Sequence, residues 1–150
     1  METLSISSSA FQEAGVIPLK YTCDGQEVNP AIKIDNIPQG TKTLAIIVED
    51  PDAPNGTFDH WLVWNIEPTN CIKEDSSPGI TGKNGAGKTE YHAPCPPSGY
   101  HRYFFNVFAL DSSLDLEAGA DKKALHQAMA EHVLAKGSLM GRFQRVRVKA

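Results

Sequence analysis

Three apolar runs constrain the fold of this chain more than any other feature of the sequence. They span residues 43–49, 61–66 and 103–110, and each is rich in β-branched or aromatic residues. Apolar side chains occupy both alternating positions in all three runs, so each predicted strand has to be covered on both faces of its sheet. The runs therefore predict a β-rich core with further elements packed against it.

The rest of the chain adds weaker strands and one helix. A helix is predicted over residues 121–136, because apolar side chains recur there at helical spacing and Gly137 follows as a stop signal. His126 and His132 are assigned to helix packing or to its surface, since no acid or cysteine accompanies them at ligand spacing. Weaker strands are predicted at residues 31–34 and 143–148.

Length and charge narrow the class of protein. The chain has 150 residues of ordinary globular composition, which predicts a single domain over residues 1–150. Its net charge of -4 provides no basic field for nucleic acid. Glu2 stands where a signal peptide needs basic residues, and no apolar run approaches the roughly 18 residues of a membrane span. We therefore expect a cytoplasmic protein without nucleic-acid partners or stable membrane insertion.

The three cysteines are predicted to be free thiols. Cys23, Cys71 and Cys95 are odd in number and widely spaced, which argues against a disulfide scaffold and a paired-cysteine zinc site. The histidines show neither HxH nor HExxH spacing. The sequence therefore predicts neither a metal site nor a cofactor.

Residues 67–99 form a long stretch rich in glycine, proline, serine and asparagine. Within it, residues 82–89 match the phosphate-binding pattern GxxxxGK[ST]. A phosphate loop needs a strand before it and a helix that begins at its end. The residues before Gly82 do not read as a strand, and the prolines that follow Thr89 forbid a helix. We therefore interpret the match as coincidence.

Acids and histidines stand where the strongest predicted strands begin or end. Asp50 closes one strand and His60 opens the next, so antiparallel pairing places both at the same sheet edge. His101 and Tyr103 open a third strand and point the same way, and Asp52 is suited to orient a histidine or the loop backbone. Imidazoles, a phenol and a carboxylate fit a bound phosphate monoester, whereas the alternative is an Asx-type turn beside packing histidines.

Four ordered blocks together resemble the signature of the phosphatidylethanolamine-binding protein family. They are Asp-Pro-Asp-Ala-Pro at 50–54, His-Trp at 60–61, Tyr-His-Ala-Pro-Cys-Pro-Pro at 91–97 and Gly-Tyr-His-Arg-Tyr at 99–103. The segment 17–25 is similar to the short prokaryotic branch, also called Raf kinase inhibitor-like proteins. The resemblance covers nearly the whole chain.

The resemblance implies an antiparallel β-sandwich with Greek-key connections, one or two peripheral helices and a small anion pocket. Phe58, where eukaryotic members often have Trp, belongs with Tyr91 and Cys95 to the implied pocket rim. The pocket residues implied by the family are Asp50, Asp52, His60, Pro97, His101 and Tyr103.

Two function classes follow. In the first, the protein is a non-enzymatic binding or regulatory protein for a phosphate-bearing small molecule or a phosphorylated protein, and modulates a kinase or another signalling protein. In the second, it is a small hydrolase with Cys95 as nucleophile and His60 or His101 as base.

We also expect a cis peptide bond in the 50–54 turn, at Ala53-Pro54. An exposed face of the sandwich is compatible with a homodimer.

Overall fold

The computed structural model describes residues 2–145. Within this range the chain forms nine β-strands, one α-helix and a short 3-10 helix at Leu19–Tyr21. The α-helix, α1, spans Lys122–Met129. The strands are β1 (Glu2–Thr3), β2 (Ser5–Ser7), β3 (Ile32–Asp35), β4 (Thr43–Asp50), β5 (Phe58–Ile66), β6 (Cys71–Ile72), β7 (Ile80–Thr81), β8 (His101–Leu110) and β9 (Val133–Phe143).

The strands form a six-stranded and a three-stranded sheet. The larger sheet has the order β1-β9-β8-β4-β5-β7 and the smaller one β2-β3-β6. β4 pairs antiparallel with two neighbours, so that Ile46 lies opposite Val63 of β5 and Val107 of β8. The three strongest predicted strands are therefore confirmed, and they lie side by side in the larger sheet.

Two hydrophobic clusters cover the two faces of the larger sheet. The first contains Ile46, Val63 and Val107 together with Ile32 and Ile34 of the smaller sheet. The second lies on the opposite face and includes the side chains Ala45, Ile47, Leu62, Trp64, Leu125 and Met129, the last two from α1. Period-two alternation sends successive side chains of β4 to opposite clusters, which confirms that both faces of the strongest strands are covered.

The predicted helix over 121–136 is correct only in its first half. Asp121 caps α1 by accepting a hydrogen bond from the Ala124 amide at 2.9 Å, and the helix ends at Met129. Residues 133–143 form β9, so His132 lies outside the helix and Gly137 lies inside a strand.

Close packing explains why Gly137 occurs within β9. A Cβ atom at this position would lie 2.2 Å from the carbonyl oxygen of Leu4, so Gly137 allows the chain between β1 and β2 to approach closely.

The separate strand predicted over 143–148 is wrong for the described residues. β9 ends at Phe143 and residues 144–145 are not in a strand, while residues 146–148 lie outside the described part of the chain.

The fold class is mainly β with one α-helix. β1 pairs in parallel with β9, so the larger sheet is mixed, which differs from the expected purely antiparallel arrangement. The Greek-key sandwich stays a prediction. Among the described residues, no helix is both long and apolar enough to cross a membrane.

Candidate ligand-binding site

The turn between β4 and β5 places the first acid and the first histidine at one sheet edge. β4 and β5 pair antiparallel, with Asp50 opposite Phe58 and Val48 opposite Trp61. Both Asp50 and His60 are buried, at 3% and 4% exposure. The predicted antiparallel pairing of these two strands is therefore confirmed.

Asp50 is fixed by two contacts. Its Oδ2 atom lies 2.6 Å from Nδ1 of buried His101, so the two side chains share a hydrogen bond. Its Oδ1 atom accepts a hydrogen bond from the Asp52 amide at 2.7 Å, which forms an Asx-type turn. The described residues contain no cis peptide bond, so the expected cis bond at Ala53-Pro54 is wrong. The carboxylate of Asp50 organises the turn instead.

Asp52 is directed toward Arg102. Its Oδ1 and Oδ2 atoms accept hydrogen bonds from the Arg102 guanidinium at 2.8 and 2.9 Å, and Oδ2 also accepts from the Arg102 amide. The hydrogen bonds from Arg102 lower the pKa of Asp52 to about 2. Asp52 therefore orients the first residues of β8.

His60 is held in one tautomer. Its Nδ1 atom lies 2.6 Å from the carbonyl oxygen of His92, and a carbonyl can only accept, so Nδ1 carries the hydrogen. Burial lowers the pKa of His60 to about 4, although the hydrogen bond to His92 and the charge of Asp50 act in the opposite direction. The ring is therefore neutral at physiological pH, and Nε2 is a hydrogen-bond acceptor.

Aromatic rings surround His60. Tyr103 and Phe58 contact it edge-on, with ring centroids 5.2 and 4.9 Å away. The Phe58 ring also lies 5.1 Å from the ring of His92. Burial and the charges of Asp50 and Asp52 raise the pKa of Tyr103, so its phenol keeps its proton and can act as a donor.

These residues enclose a cavity of about 130 Å³. The structure thereby brings together Asp50, Phe58, His60, Tyr103 and Cys95 from the predicted set. The cavity lining does not include the predicted residues His101, Pro97 and Tyr91. His101 is hydrogen-bonded to Asp50, Pro97 is exposed, and the ring of Tyr91 packs edge-on against Trp61. The lining residues that sequence reasoning missed are Ala53, Pro54, His92 and Pro96. All four lie in the segments 50–54 and 91–97, and the resemblance of those segments to the family signature was the sequence signal available for them.

A larger cavity lies elsewhere. It has a volume of about 590 Å³ and is lined by residues of β1, β8, β9 and α1 together with Glu49. None of the predicted site residues lines it. We take the smaller cavity as the candidate site, because it gathers the buried titratable side chains Asp50, His60 and Tyr103 from three separated segments.

The rim of the smaller cavity contains a disulfide bond. Cys23 and Cys95 are bonded across 72 residues of sequence, so the expectation of three free thiols is wrong. Among the described residues, Cys71 is the free cysteine, and it is exposed. Because Cys95 has no free thiol in this state, it cannot serve as the nucleophile of the hydrolase alternative.

Residues 82–89, hereafter the glycine loop, are closed around a side chain of their own. Oδ1 of buried Asn84 accepts hydrogen bonds from the amides of Ala86 and Lys88 at 2.9 and 3.1 Å, and its Nδ2 donates to the Glu90 carbonyl. Amides that would cradle a phosphate are therefore already occupied. The short strand β7 does precede the loop, contrary to expectation, but no helix follows it.

Within residues 2–145, no group of three or more histidine, cysteine or acidic side chains is arranged to hold a metal ion.

Phe58, which lines the cavity, lies between the segment 91–97 and the glycine loop. It contacts His92 on one side, and on the other a Cβ atom at Gly85 would lie only 2.6 Å from its ring. The position of this ring therefore depends on both loops.

Comparison with known proteins identifies the family. Residues 7–144 match the family model for phosphatidylethanolamine-binding protein. A UPF0098 protein of Methanothermobacter thermautotrophicus is 41% identical over 150 residues, covering 95% of this chain and 99% of the relative.

Solved structures agree with this match. The crystal structure of a phosphatidylethanolamine-binding protein homologue from Chlamydia trachomatis has a TM-score of 0.93 and 36% identity, covering 97% of this chain and 100% of the other. E. coli YbcL has the same fold, with a TM-score of 0.87 at 22% identity over 95% of this chain and 99% of YbcL. The chain therefore belongs to the phosphatidylethanolamine-binding protein family.

Proposed function

We propose that the small cavity binds the phosphate group of a small molecule and that the protein does not turn this ligand over. The observation that carries the proposal is the pairing of opposite hydrogen-bonding roles at one cavity. Neutral His60 offers an acceptor through Nε2, and protonated Tyr103 offers a donor. A ligand that both donates and accepts, such as a singly protonated phosphate monoester, matches this combination.

The buried acid favours the same form of the ligand. Asp50 lines the cavity, and a carboxylate repels a fully deprotonated dianion more strongly than a monoanion. A phosphate monoester loses its second proton, and becomes a dianion, with a pKa of about 6. Binding should therefore weaken as the pH rises above that value, because the ligand loses the hydroxyl that can donate to His60.

The size of the cavity limits what enters it. A volume of about 130 Å³ is well below the roughly 300–1,000 Å³ of sites that enclose drug-sized ligands. A phosphate group fits such a volume, whereas the acyl chains of a phospholipid have to remain outside. Phosphoethanolamine is therefore a better probe than an intact lipid.

We propose to test this by titrating the protein with inorganic phosphate and phosphoethanolamine at pH 6, following histidine and backbone NMR shifts. We expect saturable shifts confined to His60, His101, Tyr103 and the Asp50 turn. Sulfate serves as the matched probe, because it has a similar size but no proton to donate near neutral pH. We expect it to bind at least about tenfold more weakly, the effect of losing one hydrogen bond to the site.

Two pairs of variants locate the site. His101→Ala should abolish the shifts, whereas His126→Ala, on the exposed face of α1, should leave them unchanged. Tyr103→Phe should weaken binding, whereas Tyr100→Phe should not, since Tyr100 is 53% exposed. Equal affinity for phosphate and sulfate, or the absence of saturable shifts at millimolar phosphate, would contradict the proposal.

A regulatory role follows from the same site if the phosphate belongs to a phosphorylated protein. Modulation of a kinase or another signalling protein is then tested with a phosphoserine peptide and its unphosphorylated form. The hydrolase alternative has no support from the described residues, because Cys95 is bonded to Cys23.

A further inference from the structure

We propose that the Cys23–Cys95 disulfide is a redox modification site whose reduction by a dithiol loosens the cavity rim and weakens ligand binding. The part on ligand binding rests on the proposed function. The disulfide joins Cys95, which lines the cavity, to Cys23, which lies outside it after the 3-10 helix. Its chemistry therefore acts directly on a wall of the site.

The rim segment, residues 91–97, has few means of holding itself in place. Pro94, Pro96 and Pro97 have no amide hydrogen, so three of its last four residues cannot donate a backbone hydrogen bond. The segment also contains no helix or strand. Residues 94–97 are therefore ordered by packing of the buried Pro94 and Pro96 and by bonds to other segments.

The two halves of the rim segment are attached differently. In the first half, the His92 amide donates to the His60 carbonyl at 2.8 Å, and Tyr91 Oη donates to the Tyr21 carbonyl at 3.0 Å. In the second half, the attachments to Cys23 are the disulfide at Cys95 and one hydrogen bond from the Cys23 amide to the Pro94 carbonyl at 3.1 Å. Reduction therefore removes the covalent attachment of the second half.

The other end of the disulfide is firmly fixed. Thr22, next to Cys23, is fully buried and its hydroxyl donates to the Leu19 carbonyl at 2.9 Å. Tyr21 is 7% exposed, and its hydroxyl donates to Glu74. When the bond opens, the proline-rich rim is therefore the side expected to move. Cys95 and Pro96 would lose their fixed position at the cavity.

Access favours reaction at Cys95. This residue is exposed, whereas Cys23 is only partly so. A thiolate of the dithiol attacks the Cys95 sulfur, the disulfide breaks, and Cys23 leaves as a thiolate that takes a proton from water. The second thiol of the reagent then attacks the mixed disulfide and releases Cys95 as a thiol. The protein gains two electrons and two protons, and the dithiol becomes a disulfide.

The test uses the full chain with Cys71→Ser, which removes the exposed free thiol and leaves the Cys23–Cys95 pair. The protein is compared before and after treatment with dithiothreitol at neutral pH. Amide hydrogen exchange at the rim is measured at the Cys23 amide, which donates to the Pro94 carbonyl of the rim segment, with core Phe105 as the internal reference. Phosphate affinity is measured on the same samples. We expect rim exchange to rise, and phosphate affinity to fall, by about fivefold or more, while Phe105 is unchanged.

A triple variant, Cys23→Ser/Cys71→Ser/Cys95→Ser, should behave like the reduced protein and should not respond to dithiothreitol. Faster rim exchange without phosphate binding in either state would support redox control of the rim and contradict the proposed function. The redox proposal would be overturned by equal rim exchange in both states. Resistance of the disulfide to reduction in the native protein, or a matching rise at Phe105, which indicates global unfolding, would also overturn it.

Discussion

The rim segment lines the cavity and the glycine loop reaches it only through Phe58, yet the two segments are ordered by opposite means. The glycine loop is held from within, by the hydrogen bonds of Asn84 to its own backbone. The rim segment is rich in proline and is held from outside, by Cys23 and His60. Both loops meet at Phe58, whose ring forms part of the cavity wall.

The difference shows how an irregular segment can be ordered without secondary structure. A loop with free amides can close around one buried amide side chain, because that side chain offers both a donor and an acceptor. A proline-rich segment lacks amides and depends on distant partners. The glycine loop should therefore respond to changes at its own residues, and the rim segment to redox state and to the ionisation of His60.

The largest effect should come from removing the covalent anchor of the rim. Replacing Cys23 and Cys95 by serine should lower the free energy of unfolding by about 2–4 kcal/mol, because the disulfide closes a long loop in the unfolded chain. Urea denaturation measures the change. Cys71→Ser is the matched control and should change stability by less than about 0.5 kcal/mol, since Cys71 is exposed and free. An equal loss in both variants would contradict the assignment.

Acidification tests the second anchor of the rim. The pKa of His60 is about 4 in the folded protein, against 6.5 in an unperturbed histidine, so the unfolded chain binds the proton more readily. The contribution of neutral His60 to the free energy of unfolding is therefore fully present above pH 6.5. It is lost as the pH drops toward 4, by about 3 kcal/mol in total.

Urea denaturation at pH 7 and pH 4 measures this loss. His60→Gln should remove the histidine contribution to the pH dependence, whereas His126→Gln should retain it, because His126 is exposed. Identical pH profiles for His60→Gln and the unmodified protein would show that burial of neutral His60 does not control this transition.

A smaller effect is expected from breaking the internal closure of the glycine loop. Asn84→Ala should lower the free energy of unfolding by about 2 kcal/mol, because the buried Asn84 side chain makes three hydrogen bonds to the loop backbone and all three are lost. Asn55→Ala, in the exposed turn between β4 and β5, is the matched control and should be near neutral. Redox state should not alter the effect of Asn84→Ala, because the disulfide attaches to the rim segment.

The smallest effect should appear where the glycine loop contacts Phe58. Gly85→Ala should lower the free energy of unfolding by about 1–2 kcal/mol, since the added Cβ overlaps the Phe58 ring. The NMR signals of His60 and His92, which contact that ring, should shift. Phe58→Leu should recover at least half of the loss in the double variant.

Gly40→Ala provides the control for this contact. Gly40 has a φ of +90°, and a Cβ atom added there would have no neighbouring atom within 4 Å, so alanine is strained by its backbone and not by a clash. Phe58→Leu should not rescue it. Rescue of both variants, or of neither, would mean that contact with Phe58 is not the cause of the Gly85→Ala loss.

Local sequence patterns were sufficient for much of the larger sheet. The predicted runs at 43–49, 61–66 and 103–110 lie within β4, β5 and β8. Alternation of apolar residues is set by the geometry of the strand itself, so it can be read without knowing the partner. The antiparallel pairing of β4 and β5 could likewise be predicted, because the link between Asp50 and His60 is too short for the crossover that parallel strands need.

Patterns failed where a distant contact decides the outcome. Residues 133–136 carry helical spacing, yet they form part of β9, because β8 offers a complete row of hydrogen-bonding partners. The disulfide was missed because it joins residues far apart in sequence, in a chain whose odd cysteine count suggested free thiols. His92 lies within the 91–97 block, but its role in holding His60 could not be predicted, because it acts through a backbone carbonyl oxygen that any residue could supply.

The sequence by itself determined that the chain is β-rich, that its strongest strands are covered on both faces, and that its acids and histidines gather at the ends of those strands. These properties depend on residue order within a strand or a short turn. The tertiary structure decided that Asp50 pairs with His101, Asp52 with Arg102, and Cys23 with Cys95. Each pairing joins residues about 50 or more positions apart, and only packing of the sheets and loops brings such residues within bonding distance.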